Sequence, residues 1–114
     1  MPRSSATSAL PSAAVQGLQA LGRDLAIARK RRRLTQALLA ERMLVNVETV
    51  QRLERGDPTV SLGIVASALF VFGLGRRLAS LAAPATDGVG EAEAIRALPR
   101  RVRRPAAADI DLDF

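Results

Sequence analysis

The sequence predicts an all-α protein in which one small domain of five helices lies between two tails. Its 114 residues suit a single domain, and a hydrophobic content of 48% is enough for one modest core. Apolar residues recur at three- and four-residue steps, the period of amphipathic helices. Helix-capping residues and glycines separate these segments. We therefore place a disordered leader at residues 1–15, the domain at 16–83, and a linker with an interaction tail at 84–114. Within that last segment, residues 84–90 have linker chemistry and residues 91–98 suit a short helix that Pro99 ends.

The first three helices are predicted from short amphipathic stripes and their caps. The first ends near Arg32 and carries four apolar residues on one face, Leu18, Leu21, Leu25 and Ala28. Thr35 is a good N-cap for a second helix that continues to Met43 with Leu39 and Ala40 facing inward. Asn46 is a strong N-cap for a third helix, which Gly56 and the following Asp-Pro pair end; its inward residues are Val50 and Leu53.

The fourth predicted helix, residues 62–72, is apolar on nearly every face. We expect four of its residues to face the core: Leu62, Val65, Ala66 and Leu69. A helix with a second apolar face in so small a domain suggests a subunit interface, so we predict a symmetric dimer. The interface candidates are Ile64, Ala68, Val71 and, from a fifth helix at residues 76–82, Leu78.

Composition argues against most enzyme classes. The chain has no cysteine and no histidine, so the thiol nucleophile, the thiolate zinc site and the usual general base are missing, and we predict no enzymatic activity, no cofactor and no metal site. The longest apolar run, residues 62–74, is shorter than the roughly 20 residues of a membrane span, and the N-terminus lacks the apolar stretch of a secretory signal. We expect a cytoplasmic protein.

The charge balance favours a partner that carries phosphate or carboxylate groups. Lys and Arg number 17 against 11 Asp and Glu, a net charge of +6, and all but one of the basic residues are arginine. The three aromatic residues are too few for a platform that stacks single-stranded bases. Duplex nucleic acid and protein remain the open partner classes.

Two short helices joined by a three- to four-residue turn form a helix-turn-helix, whose second helix enters the major groove of DNA. The segment 34–43 starts with a Thr-Gln pair, and the segment 46–56 begins with a capping Asn and closes with Glu-Arg-Gly. Together they resemble the Xre/Cro (phage-repressor-like) helix-turn-helix family over about residues 21–81. The resemblance implies a five-helix, lambda-repressor-like fold that binds double-stranded DNA with sequence preference.

The resemblance implies a role for each matching position. Gln36 would grip a phosphate, Arg29 and Glu54 would form a structural ion pair, and the DNA-binding positions of the third helix are Asn46, Val47, Glu48, Thr49, Arg52 and Arg55. The chemistry agrees, because Arg52 lies one turn beyond Glu48, Arg reads guanine and Glu accepts from cytosine. The alternative for Arg52 is a solvated surface charge.

Two further features of this region bear on DNA binding. Residues 30–33 either read DNA or, as we prefer, form a solvated helix end that attracts phosphates without sequence preference. Many relatives carry Gly in the turn where this chain has Leu44, which predicts a strained turn. Leu44 and Val47 are poor DNA contacts, so an alternative is an adaptor that binds only other proteins and keeps a vestigial helix-turn-helix. A measurement of operator binding separates this adaptor from a DNA-binding regulator.

A narrower resemblance points to the antitoxins of Hip-type toxin-antitoxin pairs, the HipB-like proteins. It involves residues 53–63, 68–74, 87–90 and 98–103. Such proteins dimerise, repress their own operon and bind a kinase-fold toxin. The resemblance therefore implies a nucleoid-associated repressor that acts on a near-palindromic operator and is the antitoxin of a HipA-like kinase; the alternative is a free-standing Xre-family regulator without a toxin partner.

The C-terminal sequence changes from a basic block at residues 100–104 to acidic residues that alternate with apolar ones at 109–114. This alternation suits an extended peptide that docks on a partner through Leu112 and Phe114. The alternative is a solubilising acidic end that screens the basic block. An anchor on membrane surfaces is a poor alternative, because prolines flank a basic block that has no apolar helical face.

Overall fold

The computed structural model describes residues 9–99, and all regular structure in that range is helical, which confirms the predicted all-α class. These residues separate into two compact units that divide between Leu81 and Ala82. The first unit holds five helices: α1 (Ser12–Arg31), α2 (Gln36–Met43), α3 (Val47–Arg55), α4 (Leu62–Val71) and α5 (Arg76–Ala79). The second holds a 3-10 turn (Pro84–Thr86) and α6 (Gly88–Arg96).

Helix α1 begins earlier than the sequence predicts. It starts at Ser12, so a disordered leader that extends to residue 15 is wrong. The carbonyl of Pro11 accepts the first helical hydrogen bonds, from the amides of Ala14 at 3.0 Å and Val15 at 3.1 Å. The alanines of this segment favour helix even without an apolar stripe, which is why periodicity alone missed the first turn. The rest of the predicted leader, residues 1–8, lies outside the described residues.

The core lies in the first unit, where α1, α2, α3 and α4 meet. Its members include every inward residue that the sequence predicts for α2 and α3. The buried hydrophobic residues are Leu25, Leu34, Leu39, Ala40, Met43, Val50, Leu53, Ala68, Leu69 and Phe72. The side chains of Leu39 and Val50 are the largest that are fully buried, so the helix-turn-helix pair supplies the centre of the core.

The rotation of α4 differs from the prediction. Ala68, a predicted interface residue, is fully buried in the core and has no surface to offer a second copy. Conversely Leu62, predicted to face inward, is 66% exposed, and Phe70 is 79% exposed. Because α4 has apolar residues on every face, hydrophobic periodicity does not define which face turns inward. The other candidates on this helix, Ile64 and Val71, are partly buried and pack against the core.

The end of the first unit and the start of the second also depart from the prediction. Helix α5 ends at Ala79, before the predicted end near residue 82; Leu78 packs partly buried against the core. The short helix predicted at residues 91–98 is present, but α6 begins earlier, at Gly88, and ends at Arg96, so the last three residues predicted as linker are helical. The Asp87 side chain caps α6 by accepting from the Gly90 amide at 2.9 Å. Helix α6 buries none of its residues. Leu112 and Phe114, the predicted docking residues of the tail, lie outside the described residues.

The first four helices end in the same way, with a left-handed residue and a hydrogen bond that closes the last turn. At α3 and α4 the left-handed residue is glycine, Gly56 and Gly73, each with φ of 77°. At α1 and α2 it is Arg33 (φ 58°) and Leu44 (φ 60°). The turn at Leu44 therefore keeps its left-handed form without glycine, at a cost of about 1 kcal/mol.

Gly22 allows α1 to approach the end of α3 closely. A Cβ atom at this position would lie 2.5 Å from the carbonyl oxygen of Glu54 and 2.8 Å from the amide nitrogen of Gly56. The contact is reciprocal, since a Cβ at Gly56 would lie 2.6 Å from the Leu18 carbonyl oxygen. Backbone therefore packs on backbone where α1 crosses the end of α3, and sequence patterning gave no sign of this role for Gly22.

We predict that Gly22→Ala lowers the free energy of unfolding by about 1 to 3 kcal/mol or more, because the backbone atoms it meets have no rotamer to relax into. Gly17→Ala is the matched control: it lies in the same helix with no heavy atom within 4 Å of the added Cβ, and it should stabilise the protein by up to about 1 kcal/mol. Urea unfolding monitored by circular dichroism measures both. Equal effects of the two substitutions would contradict the close approach.

Candidate nucleic-acid interface

Helices α2 and α3 form a helix-turn-helix with three connecting residues, 44–46. Leu39, Ala40 and Met43 of α2 are buried, as are Val50 and Leu53 of α3. This packing fixes which side of α3 turns away from the core.

No helix within residues 9–99 combines the length and apolar character needed to cross a membrane.

The outward face of α3 carries polar residues at helical spacing. Glu48, Gln51 and Arg55 are exposed, and the Arg52 side chain is 40% exposed. These four positions follow steps of three and four residues, so they share one stripe. Three of them were predicted from the sequence. Gln51 was missed, although its spacing of three from Glu48 and four from Arg55 was a signal, and its amide suits the bidentate pattern of adenine.

The N-terminus of α3 is held by a cap. The Asn46 Oδ1 atom accepts from the Thr49 amide and from the Thr49 hydroxyl, both at 3.0 Å. Of these two predicted DNA-binding residues, Asn46 is exposed and Thr49 is partly buried. Val47 is also partly buried and packs against the core, so only part of its side chain faces solvent. The first turn of α3 is therefore fixed in place by its own side chains.

Arg29 and Glu54 form the buried ion pair of the domain. Arg29 Nε lies 2.7 Å from Glu54 Oε2, and Nη2 lies 3.1 Å from Oε1, a two-point contact. The Arg29 Nη1 atom also donates to the Leu34 carbonyl at 2.9 Å. Only 10% of the Arg29 side chain and 8% of the Glu54 side chain are exposed. The pair joins α1, the segment before α2, and α3.

Gln36, the predicted phosphate-gripping residue, stands at the first position of α2 and belongs to the same network. Its Nε2 atom donates to Glu54 Oε1 at 2.9 Å. Thr35 caps this helix by accepting from the Leu38 amide at 3.0 Å. The side-chain amide has a second N–H. Gln36 is thus partly exposed and held by Glu54 beside the exposed N-terminus of α2.

The basic end of α1 divides into exposed charges and one structural arginine. Lys30, Arg31 and Arg33 are exposed. Arg32 is exposed as well, but it donates to the carbonyls of Ala28 at 2.8 Å and Phe72 at 2.9 Å, and its guanidinium lies 5.1 Å from the centre of the Phe72 ring. Arg32 therefore ties α1 to the end of α4, so it is less available for DNA than its three neighbours.

Within the described range, no three acidic side chains come together in a group that could hold a metal ion. A family model described as a helix-turn-helix domain matches residues 20–82, more than half of the chain. The matched segment includes most of α1 and all of α2 to α5. No curated protein and no solved structure matches the chain.

We predict that Glu54→Ala lowers the free energy of unfolding by about 3 to 5 kcal/mol, because it leaves the buried guanidinium of Arg29 without its carboxylate. The control is Glu93→Ala, which breaks the ion pair between Glu93 and Arg96. The side chains of these two residues are 65% and 66% exposed. That exposed pair should contribute less than about 1 kcal/mol. Thermal and urea unfolding measure the difference, and similar losses for both variants would show that burial of the Arg29–Glu54 pair is irrelevant.

Proposed function

Because the chain belongs to the helix-turn-helix domain family, we propose that it is a transcriptional regulator that binds double-stranded DNA with sequence preference through α3. The single observation that carries the proposal is the outward stripe of Glu48, Gln51, Arg52 and Arg55 on a helix whose opposite side is buried. Such a helix fits the major groove, where each base pair presents a distinct set of donors and acceptors. In this role the protein acts in the cytoplasm, bound to DNA.

The chemistry of the stripe favours base reading over simple attraction to phosphates. Arg52 and Arg55 offer the planar donor pairs that match the O6 and N7 atoms of guanine. Glu48 repels phosphates but accepts from the amino group of cytosine. Glu48 lies at the N-terminal end of this face. A carboxylate there lowers affinity for every duplex, and recognition of a cytosine would offset that loss at the right sequence.

Contacts to the sugar-phosphate backbone supply the remainder of the binding energy in this proposal. Gln36, at the start of α2, has a second N–H for a phosphate oxygen while Glu54 holds its side chain. Lys30, Arg31 and Arg33 add attraction that is independent of sequence and depends on salt. These contacts orient α3 without selecting a base.

We also propose that the regulator binds DNA as a symmetric dimer through α4. This helix has no charged residue in a chain with a net charge of +6, so two copies can meet there without repulsion between basic side chains. Leu62 and Phe70 are exposed on it, and the other interface candidates, Ile64, Val71 and Leu78, are partly exposed. Two half-sites about 34 to 36 Å apart, or a multiple of that, would then form a near-palindromic operator.

The narrower role that we propose is repression of the protein's own operon as the antitoxin of a HipA-like kinase. Its support is the resemblance of residues 53–63, 68–74, 87–90 and 98–103 to HipB-like antitoxins. A copurification of the full chain with the product of the adjacent reading frame tests this role, and a variant that lacks residues 109–114 tests the tail with Leu112 and Phe114. Operator binding without such a partner would instead identify a free-standing Xre-family regulator.

Selection of binding sites from a random duplex pool tests sequence-specific binding. We predict that Arg52→Ala weakens binding to the selected site by about 1 to 3 kcal/mol and relaxes the preference at one base pair. Arg31→Ala is the control, because an exposed charge at the end of α1 should weaken selected and scrambled duplexes alike and lower the salt slope by about 1. An Arg52→Ala variant with undiminished preference would place recognition elsewhere.

Analytical ultracentrifugation tests the dimer. We predict that the full chain sediments as a dimer at micromolar concentration and that Phe70→Asp, which adds a charge to the exposed α4 surface, yields a folded monomer. Ile27→Asp is the matched control, since Ile27 is a 48% exposed apolar residue of α1 outside the proposed interface. A wild-type chain that sediments as a monomer and binds a palindromic duplex one to one would contradict the dimer.

A further inference from the structure

Asp57 lies directly after α3 and faces Arg52. Its Oδ2 atom is 3.5 Å from Arg52 Nε, and the exposed fractions of the two side chains are 19% and 40%. The backbone links the same two residues, because the Asp57 amide donates to the Arg52 carbonyl at 3.1 Å. The carboxylate is thus held beside the Arg52 guanidinium by the turn that follows α3.

The position of the Asp57 carboxylate is itself fixed by its neighbours. Its Oδ1 atom accepts from the Thr59 amide at 2.9 Å and from the Thr59 hydroxyl at 2.6 Å. The preceding Gly56 packs against the backbone of α1 at Leu18 and Gln19. The carboxylate therefore stands on a turn that the core of the domain supports, and its place does not depend on DNA.

We propose that Asp57 is a positioning residue that sets base specificity by aiming the Arg52 guanidinium, an inference that rests on the proposed function. The Asp57 carboxylate approaches the Arg52 guanidinium at Nε, so in this proposal the two terminal nitrogens form the planar fork of donors that meets a base. Such a fork matches guanine O6 and N7. An arginine on a flexible stem without this support would reach phosphates as readily as bases.

A residue that positions Arg52 has a measurable effect on DNA binding that a merely stabilising residue lacks. Asp57 adds a negative charge near the recognition face, so its carboxylate weakens binding to every duplex through phosphate repulsion. If it also aims Arg52, it strengthens discrimination between the right and the wrong base. Removing the charge should therefore move the two quantities in opposite directions: affinity for unrelated DNA rises while the specificity ratio falls.

The test compares the full chain with Asp57→Asn on its selected duplex and on a scrambled duplex, by fluorescence anisotropy at two salt concentrations. We expect Asp57→Asn to bind the scrambled duplex more tightly and to lose about fivefold or more of its specificity ratio, a part of the discrimination that one bidentate pair provides. The matched control is Glu41→Gln, which removes an exposed carboxylate from α2. It should leave the specificity ratio unchanged.

Two further variants separate positioning from folding. Thr59→Val removes the hydroxyl that holds Asp57 without changing charge, so it should lower the specificity ratio while binding to the scrambled duplex stays constant. In an Arg52→Ala background, Asp57→Asn should no longer change the ratio. The inference is overturned if Asp57→Asn keeps the wild-type ratio, or if it lowers the ratio equally when Arg52 is absent. A wild-type chain that selects no preferred duplex would instead refute the proposed function itself.

Discussion

The buried contact between Arg29 and Glu54 is the interaction on which the first unit depends. Burial of two charges is unfavourable unless each is fully paired, and here the guanidinium satisfies both carboxylate oxygens and the Leu34 carbonyl. The same carboxylate accepts from Gln36, so one side chain of α3 holds α1 and the start of α2. A shift of α3 along or around its axis would break the bonds from Glu54 to Arg29 and to Gln36 together. The recognition helix is therefore fixed in register by a polar network, which apolar packing alone does not achieve.

Close backbone packing adds a second constraint at the end of α3. Gly22 and Gly56 bring α1 against the turn that follows α3, and no side chain fits between them. The backbone carbonyl of Glu54 lies in that contact, and the side chain of the same residue carries the carboxylate that pairs with Arg29. Polar and steric constraints thus converge on one end of one helix, and they leave its outward stripe of polar side chains as the part of α3 that remains for a ligand.

Much of this arrangement follows from the sequence, because strong local signals agree with the tertiary packing. The caps Thr35 and Asn46, with the glycine at 56, define α2 and α3 to within a residue of the structure. Hydrophobic periodicity failed at α4, because this helix is apolar on every face and its rotation depends on how its side chains pack. Ala68 was therefore predicted at the surface, although it is buried. The role of Gly22 depends on the distance between two helices, and the pairing of Asp57 with Arg52 depends on the shape of the turn after α3; periodicity encodes neither.

A nuclear magnetic resonance titration of the labelled full chain with its selected duplex tests the central claim most directly. If α3 is the reading element, amide signals of its outward stripe and of the α2 N-terminus shift first and most, and a scrambled duplex leaves the stripe largely unperturbed. Arginine side-chain signals of Arg52 should broaden or shift with the selected duplex alone. Perturbations confined to the basic end of α1, identical for both duplexes, would contradict the account and reduce the protein to a nonspecific DNA binder.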